Sequence, residues 1–399
     1  MTDCDSQLRD ALTALRQQGL YRELKQVDSP QQPRIQIGSE VLLNFSSNDY
    51  LGLANHPKLR EAALDAITRY GAGSGASRLI CGSLAPHHAL EERLAAFKGT
   101  EAALAFSTGY AAALGTICAV VGPDDIVILD KLVHACIVDA ARLSKAKIRV
   151  FRHNDLNDLE ELLKWAGQQR QASANATSPR VLVVTESVFS MDGDLAPLKE
   201  IGELKDTHGA WLMVDEAHAT GLYGLHRRGL VEASGMSGRV EIQMGTLGKA
   251  LGAAGGFITG SRTLIEFLIN KARSFIFSTA PVPAAVAAAA AAVDLVQSGP
   301  GEQACRNLWE LVSDLPATIA GLKSKPVSPI VPIHIGDESA AVAQATALRK
   351  RNIYIPAIRY PTVARGRARL RLTLTAAHTR ADLEQLASAL AAETAGSGT

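Results

Sequence analysis

Cysteine is scarce and unpatterned in this 399-residue chain: Cys4, Cys81, Cys118, Cys136 and Cys305 stand far apart, with no CxxC pair and no histidine at a zinc-like interval. This spacing argues against a disulfide frame or a zinc-built fold, and isolated thiols suit a reducing compartment. An excess of one charge is missing as well, since 41 Lys and Arg face 40 Asp and Glu for a formal net charge of +1. No whole-protein field therefore favours nucleic acid or an anionic membrane. Long hydrophobic runs are absent too. The most apolar stretch, APVPAAVAAAAAAV over residues 280–293, is too short to cross a bilayer and rich in weakly apolar alanine, so it predicts a helix packed inside the protein. The first residues, MTDCDSQLRDALTALRQQG, carry acids early and no apolar core, unlike a secretory signal or a mitochondrial transit peptide. The expectation is a cytoplasmic protein with neither nucleic acid nor membrane as partner.

What is present is a chain of ordinary globular composition, 47% apolar, whose length exceeds one core. From residue 101 onward short, nearly continuous apolar runs (ALAFS, DIVILD, KIRVFRH, VLVVTES, WLMVD) alternate with longer helical segments. That alternation predicts an α/β fold with a large, mostly parallel sheet covered on both faces. The expected division is an N-terminal helix with short strands over 1–45, a large domain over 46–290 and a smaller C-terminal α+β domain over 291–399. Locally, residues 5–26 read as one amphipathic helix carrying Leu8, Leu12 and Leu15 on one face, and RIQIGSEVLLNF as two strands around Gly38-Ser39. Glu91, Glu92 and Arg93 read as the solvated face of a helix. His87 and His88 point apart on that helix, so no metal site is expected there. QASANATSP at 171–179 reads as a loop, IYIPAIR as a strand, and PGEQ at 300–303 as a loosening of the chain. GRARLRLTLTAA reads as a half-exposed antiparallel strand with Arg365, Arg367, Arg369 and Arg371 on its outer side, and AETAGSGT as a disordered tail.

Lys249 organises the chemistry. It lies in MGTLGKALGAAGGFITG, residues 244–260, where glycine and alanine permit close approach of a bound group and no other charge intervenes before Arg262. Upstream, WLMVDEAHATG places Asp215 at the end of an apolar run and His218 three positions later. An amine, a carboxylate to hold a pyridine nitrogen protonated and a further polar contact are what a pyridoxal 5'-phosphate site requires. Ser107, Thr108, Gly109 and Tyr110 precede a helix, and free N–H groups at a helix start receive a phosphate well. The nucleotide pattern GxxxxGK[ST] is absent.

The set TGYAA at 108–112, DKLVHAC at 130–136, ESVFSMDGD at 186–194, VDEAH at 214–218 and GTLGKALG at 245–252 resembles the alpha-oxoamine synthases, pyridoxal-phosphate enzymes of the aminotransferase-like fold type I. The likeness extends from about Leu43 to about His378, with the motifs in the family's order. It implies that Lys249 links to the cofactor and acts as the base, that Asp215 partners the pyridine nitrogen and His218 the phenolic oxygen, and that His134 stacks on the ring. Ser190 would lie near the cofactor oxygen with Glu186 in support, while Thr108, Gly109, Tyr110 and Thr246 would hold the phosphate. Ser278 and Thr279 would reach the phosphate of the neighbouring subunit in a homodimer. Arg359 would clamp the amino-acid carboxylate, with Thr362, Asn48 and Arg22 at the substrate; Tyr360 stands where the family often has proline. The chain most resembles the members that condense L-alanine with a pimeloyl thioester, on coenzyme A or a carrier protein. The alternative is a glycine C-acyltransferase forming 2-amino-3-ketobutyrate or 5-aminolevulinate.

Overall fold

The computed structural model describes residues 3–172, 178–319 and 325–396. Its strands are β1 (Arg34–Ile37), β2 (Glu40–Asn44), β3 (Ala102–Phe106), β4 (Ile126–Asp130), β5 (Lys147–Phe151), β6 (Val181–Glu186), β7 (Trp211–Asp215), β8 (Ile242–Thr246), β9 (Gly256–Gly260), β10 (Ile330–Gly336), β11 (Ile353–Tyr354), β12 (Ala357–Ile358) and β13 (Ala368–Thr373). The chain divides into two compact units, Leu51–Ser190 with Asp194–Arg306, and Met1–Tyr50 with Met191–Gly193 and Asn307–Thr399. Where the sequence sets residues 1–45 apart from the C-terminal domain over 291–399, the structure groups the two chain ends.

The first of these units is built on a seven-stranded sheet in the order β3-β9-β8-β7-β6-β4-β5. Only β9 runs against the rest, pairing antiparallel with β8 and β3. Every residue of β4 and of β6 is buried, as strands covered on both faces require. The core gathers Val127, Leu129, Leu182, Val184 and Met213 from the sheet with Ile117, Ile137 and Ala140 from the helices Gly109–Val120 and Ala135–Ser144. Four adjacent parallel strands end in a polar residue at one edge of this sheet: Thr246 on β8, Asp215 on β7, Glu186 on β6 and Asp130 on β4. The alanine-rich stretch forms the expected helix, Pro283–Gln297, packed on the helices Pro57–Tyr70 and Ala85–Lys98. Glu91 is not part of a solvated face. It takes a bidentate ion pair from the buried Arg78 at 2.8 and 2.9 Å and accepts the Ala105 N–H.

The unit formed by the chain ends holds two three-stranded sheets, β1-β2-β11 and β10-β13-β12. Several local expectations change here. The N-terminal helix stops at Gln17, where the Gln18 N–H turns back to the Ala14 carbonyl and Gly19 takes a φ of 65°. PGEQ does not loosen the chain; it opens the helix Gly299–Thr318, because a proline in the first turn gives up an N–H that the helix leaves unpaired anyway. IYIPAIR splits at Pro356 into β11 and β12, which join different sheets. The arginine-bearing strand β13 is central and buried throughout. Arg369 pairs with Asp192 at 2.6 Å, while Arg371 donates to Asn48 Oδ1 at 3.0 Å and Thr373 Oγ1 at 2.9 Å, so both charges are buried with acceptors in place. The last helix, Arg380–Gly396, runs through most of the expected tail, and residues 397–399 lie outside the described residues. So do residues 173–177 of the expected loop, whose first residues, Gln171 and Ala172, end the helix Leu156–Ala172.

Candidate active site

The polar strand ends of the seven-stranded sheet are where the predicted site residues gather. Lys249, half-buried in the turn between β8 and β9, sets its Nζ 2.7 Å from His218 Nε2. His218 is itself buried and lies one turn past Asp215, the last residue of β7. Asp215 accepts the Ala217 N–H at 2.9 Å. Burial raises its pKa, and the charge of Lys249 works in the opposite direction. On the next strand Glu186 stands in register with Asp215. Burial first, and the Asp215 carboxylate second, push Glu186 up to about 8. Its carboxylate accepts backbone N–H groups from His134 and, at 3.2 Å, from Ser190, while Oε1 is buried with no hydrogen-bond partner among the described residues.

His134 caps the helix Ala135–Ser144 and accepts the Cys136 N–H at 3.2 Å on Nδ1. Desolvation of its ring lowers the pKa, with Asp215 and Lys249 adding opposed contributions. The imidazole thus favours its neutral form in the field of Asp215 and Lys249.

The expected phosphate loop sits at the start of the helix Gly109–Val120. Thr108 is its N-cap, with Oγ1 accepting from the Ala111 N–H at 3.0 Å. Gly256 on β9 passes so close that a Cβ there would lie 2.5 Å from Gly109 Cα, so only glycine lets the two backbones meet. A Cβ on Gly109 would stand 3.9 Å from Thr246 Oγ1, which places that hydroxyl beside the helix start. Tyr110 is exposed, and its hydroxyl donates to Asp139 at 2.5 Å. Thr279 bridges to Ser77 within the same chain, with the half-buried Ser278 beside it.

The remaining predicted residues belong to the unit of the chain ends. Arg22 donates to Thr362 Oγ1 at 3.3 Å, and Arg359 donates to the Gly19 carbonyl. These three, with Tyr21, Lys25 and Tyr354, line a pocket of about 710 Å³. Asn48 is engaged by Arg371 and by the Tyr50 hydroxyl at 3.3 Å.

Sequence reasoning passes over one pair next to the site. Glu216 is fully buried, and so is its partner Lys98, which also donates to the Arg228 carbonyl at 2.5 Å and to Thr220 Oγ1 at 3.5 Å. The other Glu216 oxygen accepts the Val231 N–H at 2.8 Å, and a Cβ on Gly229 would fall 2.4 Å from it. The partners are 118 positions apart, and no local pattern joins them. The available signal is the glutamate itself, a charge directly after a buried strand.

A mostly parallel sheet whose carboxyl edge collects an amine, two buried carboxylates, two histidines and a capped helix start defines an aminotransferase-like enzyme architecture. The chain belongs to the aminotransferase class I and II family, whose model matches residues 40–390. It is 49% identical over 384 residues to the 8-amino-7-oxononanoate synthase of Anaeromyxobacter dehalogenans, covering 96% of this chain and 94% of that one. With the synthase of the same name from Geobacter sulfurreducens it shares 48% identity over 384 residues, 95% of this chain and 96% of the relative. Among solved structures, the serine palmitoyltransferase of Sphingomonas wittichii superposes with a TM-score of 0.89 at 30% identity, covering 99% and 98% of the two chains. The 8-amino-7-oxononanoate synthase of Francisella tularensis does so with 0.73 at 26%, covering 90% and 99%.

Proposed function

We infer that this chain condenses L-alanine with a pimeloyl thioester, releasing carbon dioxide and the free thiol carrier and forming 8-amino-7-oxononanoate. The reading rests on one juxtaposition: Lys249 lies 2.7 Å from His218 in the turn that follows Asp215, within a chain 41–50% identical along nearly its whole length to synthases of that product. Pyridoxal 5'-phosphate fits the residues present. The capped helix start at Thr108 and Gly109, with the Thr246 hydroxyl beside it, suits a phosphate, and a buried acid, Asp215, suits a pyridinium. His218 and Ser190 would meet its oxygen, His134 its face, and Tyr110 the outer side of the phosphate loop.

Bound there, the cofactor supplies an electron sink for negative charge at the α carbon of the amino acid. Lys249 takes the α proton as a free amine and later returns a proton to the same carbon. Asp215 would give the protonated ring nitrogen a carboxylate partner and so hold its own negative charge. His134, neutral, excludes water from one face. Arg359 gives the substrate carboxylate a planar fork that fixes which bond at the α carbon is presented, with Thr362, Asn48 and Arg22 completing the substrate side.

The enzyme works as a homodimer in the cytoplasm, its five cysteines free thiols. Each site takes Ser278 and Thr279 from the partner copy. Mixing an S278A/T279A chain with a K249A chain then restores activity beyond either parent once mixed dimers form; no recovery removes the shared site. For the substrate, a matrix of L-alanine, glycine and L-serine against pimeloyl, succinyl, acetyl and palmitoyl thioesters gives the highest kcat/KM for L-alanine with pimeloyl. A product mass of aminolevulinate or 2-amino-3-ketobutyrate, with pimeloyl unused, overturns the named reaction. One methyl group separates alanine from glycine, worth about 1–3 kcal/mol in an apolar pocket, so the acyl arm of the matrix decides more sharply than the amino-acid arm.

A further inference from the structure

Two loops bring His134 and Ser190 to the sheet edge. The first runs from Asp130, the end of β4, to His134; the second is the turn that starts and closes with the Val188–Leu195 bridge. Glu186 ties them from below by accepting the N–H of each residue. A second tie lies outside the cofactor-binding set. His153, just past β5, faces Asp130 through Nδ1 at 3.0 Å and Asp194 through Nε2 at 2.7 Å. Its ring stands edge-on to Phe189, the neighbour of Ser190, with centroids 4.3 Å apart.

Both carboxylates are committed to this arrangement. Asp130, with a side chain fully buried, also accepts the Leu132 N–H at 2.7 Å and the Asn154 N–H at 2.9 Å. Asp194 takes the Asn154 side-chain amide at 3.2 Å, and its Oδ1 is buried with no hydrogen-bond partner among the described residues. Asn154 holds a φ of 54°, a left-handed conformation that asparagine tolerates better than most residues, and its amide also reaches the Leu195 carbonyl at 3.1 Å. A neutral imidazole carries one N–H, so it would turn a lone pair toward one of the two carboxylates; only the doubly protonated ring donates to both.

We propose that His153 is a positioning residue: an imidazolium held between Asp130 and Asp194 that locks the loop carrying His134 to the turn carrying Ser190. Its consequence for the cofactor rests on the assignment of those two residues to the cofactor site. Burial works against the charge on His153, yet the hydrogen bonds to Asp130 and Asp194 and the charges behind them outweigh it and push the group up to about 10. Arg152 and Asp155 of its own turn and Asp158 of the following helix lie close to it in the chain, and Arg152 pairs with both of these acids. The folded pKa lies above the ordinary 6.5, so the lock is complete below that value and is lost as pH rises through about 10.

The test compares wild type, H153Q and H153Q/D194N as full chains without cofactor and then with it. A glutamine donates to one carboxylate and turns an oxygen to the other; changing Asp194 to asparagine removes that repulsion. In H153Q the amides of Leu132–His134 and of Phe189–Ser190 exchange at least about tenfold faster, and the cofactor dissociation constant rises by a similar factor. The double variant recovers most of both changes. Unchanged exchange in those amides, or a double variant no better than H153Q, overturns the lock. Faster exchange with unaltered cofactor affinity overturns its role at the cofactor. Neither readout uses turnover, so a failed condensation assay would overturn that reaction without touching these results. If H153Q does not fold, the 15N signals of the wild-type ring decide: two protonated nitrogens at pH 8 support the proposal and one defeats it.

Discussion

Asp215 and Glu216 are neighbours in the chain and both buried, at 5% and 0% exposure, yet their surroundings differ in kind. Successive residues at a strand end point to opposite sides. Glu216 turns to Lys98, Val231 and the space left by Gly229, and its charge is met entirely inside the protein. Asp215 turns to the edge where Lys249, His134 and Glu186 stand, and among the described residues no salt bridge meets it. The raised pKa of Asp215 is the mark of a charge that the protein alone does not compensate. A buried acid with a complete set of partners holds the fold together, whereas one left short of them is ready for a ligand.

The sharpest way to break that contrast is at the amine. K249A removes the group that moves the proton and leaves the packing of the strand ends in place, so turnover falls by at least about 10²-fold while the melting temperature stays near wild type. Residual turnover above about one-tenth of wild type, read as product mass over time, would take Lys249 out of the central role.

The next effect is on folding. K98M strands the Glu216 charge in the interior, at a cost of about 3–5 kcal/mol, whereas K98M/E216M, which removes both charges, recovers much of it. Urea unfolding of the three chains measures both steps. A K98M chain as stable as wild type would mean that Glu216 finds another partner, and the comparison with Asp215 would lose its basis.

D215N acts in the opposite sense. The folded-state pKa of Asp215 lies above its unfolded value, so the native chain loses stability as pH rises from the unfolded pKa toward the folded one. Asparagine does not titrate and can still accept the Ala217 N–H. The cofactor-free D215N chain therefore melts about 1–2 °C higher than wild type at pH 8, roughly the effect of 1 kcal/mol in a chain of this length, and the gap narrows as pH falls toward 4. A variant that melts lower at pH 8 contradicts the view of Asp215 as an uncompensated charge. The smallest change belongs to the surface: R306A removes an exposed pair with Glu302 one helical turn away and shifts stability by no more than about 0.5 kcal/mol in the same urea experiment.

Legibility in the sequence followed how local each feature is. The parallel strands could be read because strands buried on both faces leave unbroken apolar runs, and Lys249, Asp215 and His218 stand beside glycine turns and strand ends that mark them. The capped helix start at Thr108 was legible for the same reason. Strand β13 was not, because alternating arginine and leucine read as one wet face and one dry face. The structure supplies Asp192 and Asn48, far away in the chain, as acceptors that let those arginines be buried. Lys98 with Glu216, and His153 between Asp130 and Asp194, depend on partners that only the folded chain brings within reach. Pro300 misled for a different reason: proline breaks a helix in its middle and is welcome in its first turn, and composition does not say which turn it occupies.

The grouping of both chain ends into one unit sets an order of assembly during synthesis. The hairpin of β1 and β2 leaves the ribosome before any strand of the seven-stranded sheet, yet β11, which lies parallel to β2 and whose neighbouring Asn352 carbonyl receives the Leu43 N–H at 2.8 Å, is made only after all of them. Through the whole interval in which Leu51–Ser190 and Asp194–Arg306 are translated, the outer edge of β2 has no strand to pair with. The segments of the seven-stranded sheet are all made before that edge is covered, so a nascent chain that stalls short of residue 353 displays an open strand edge of the kind that recruits other chains.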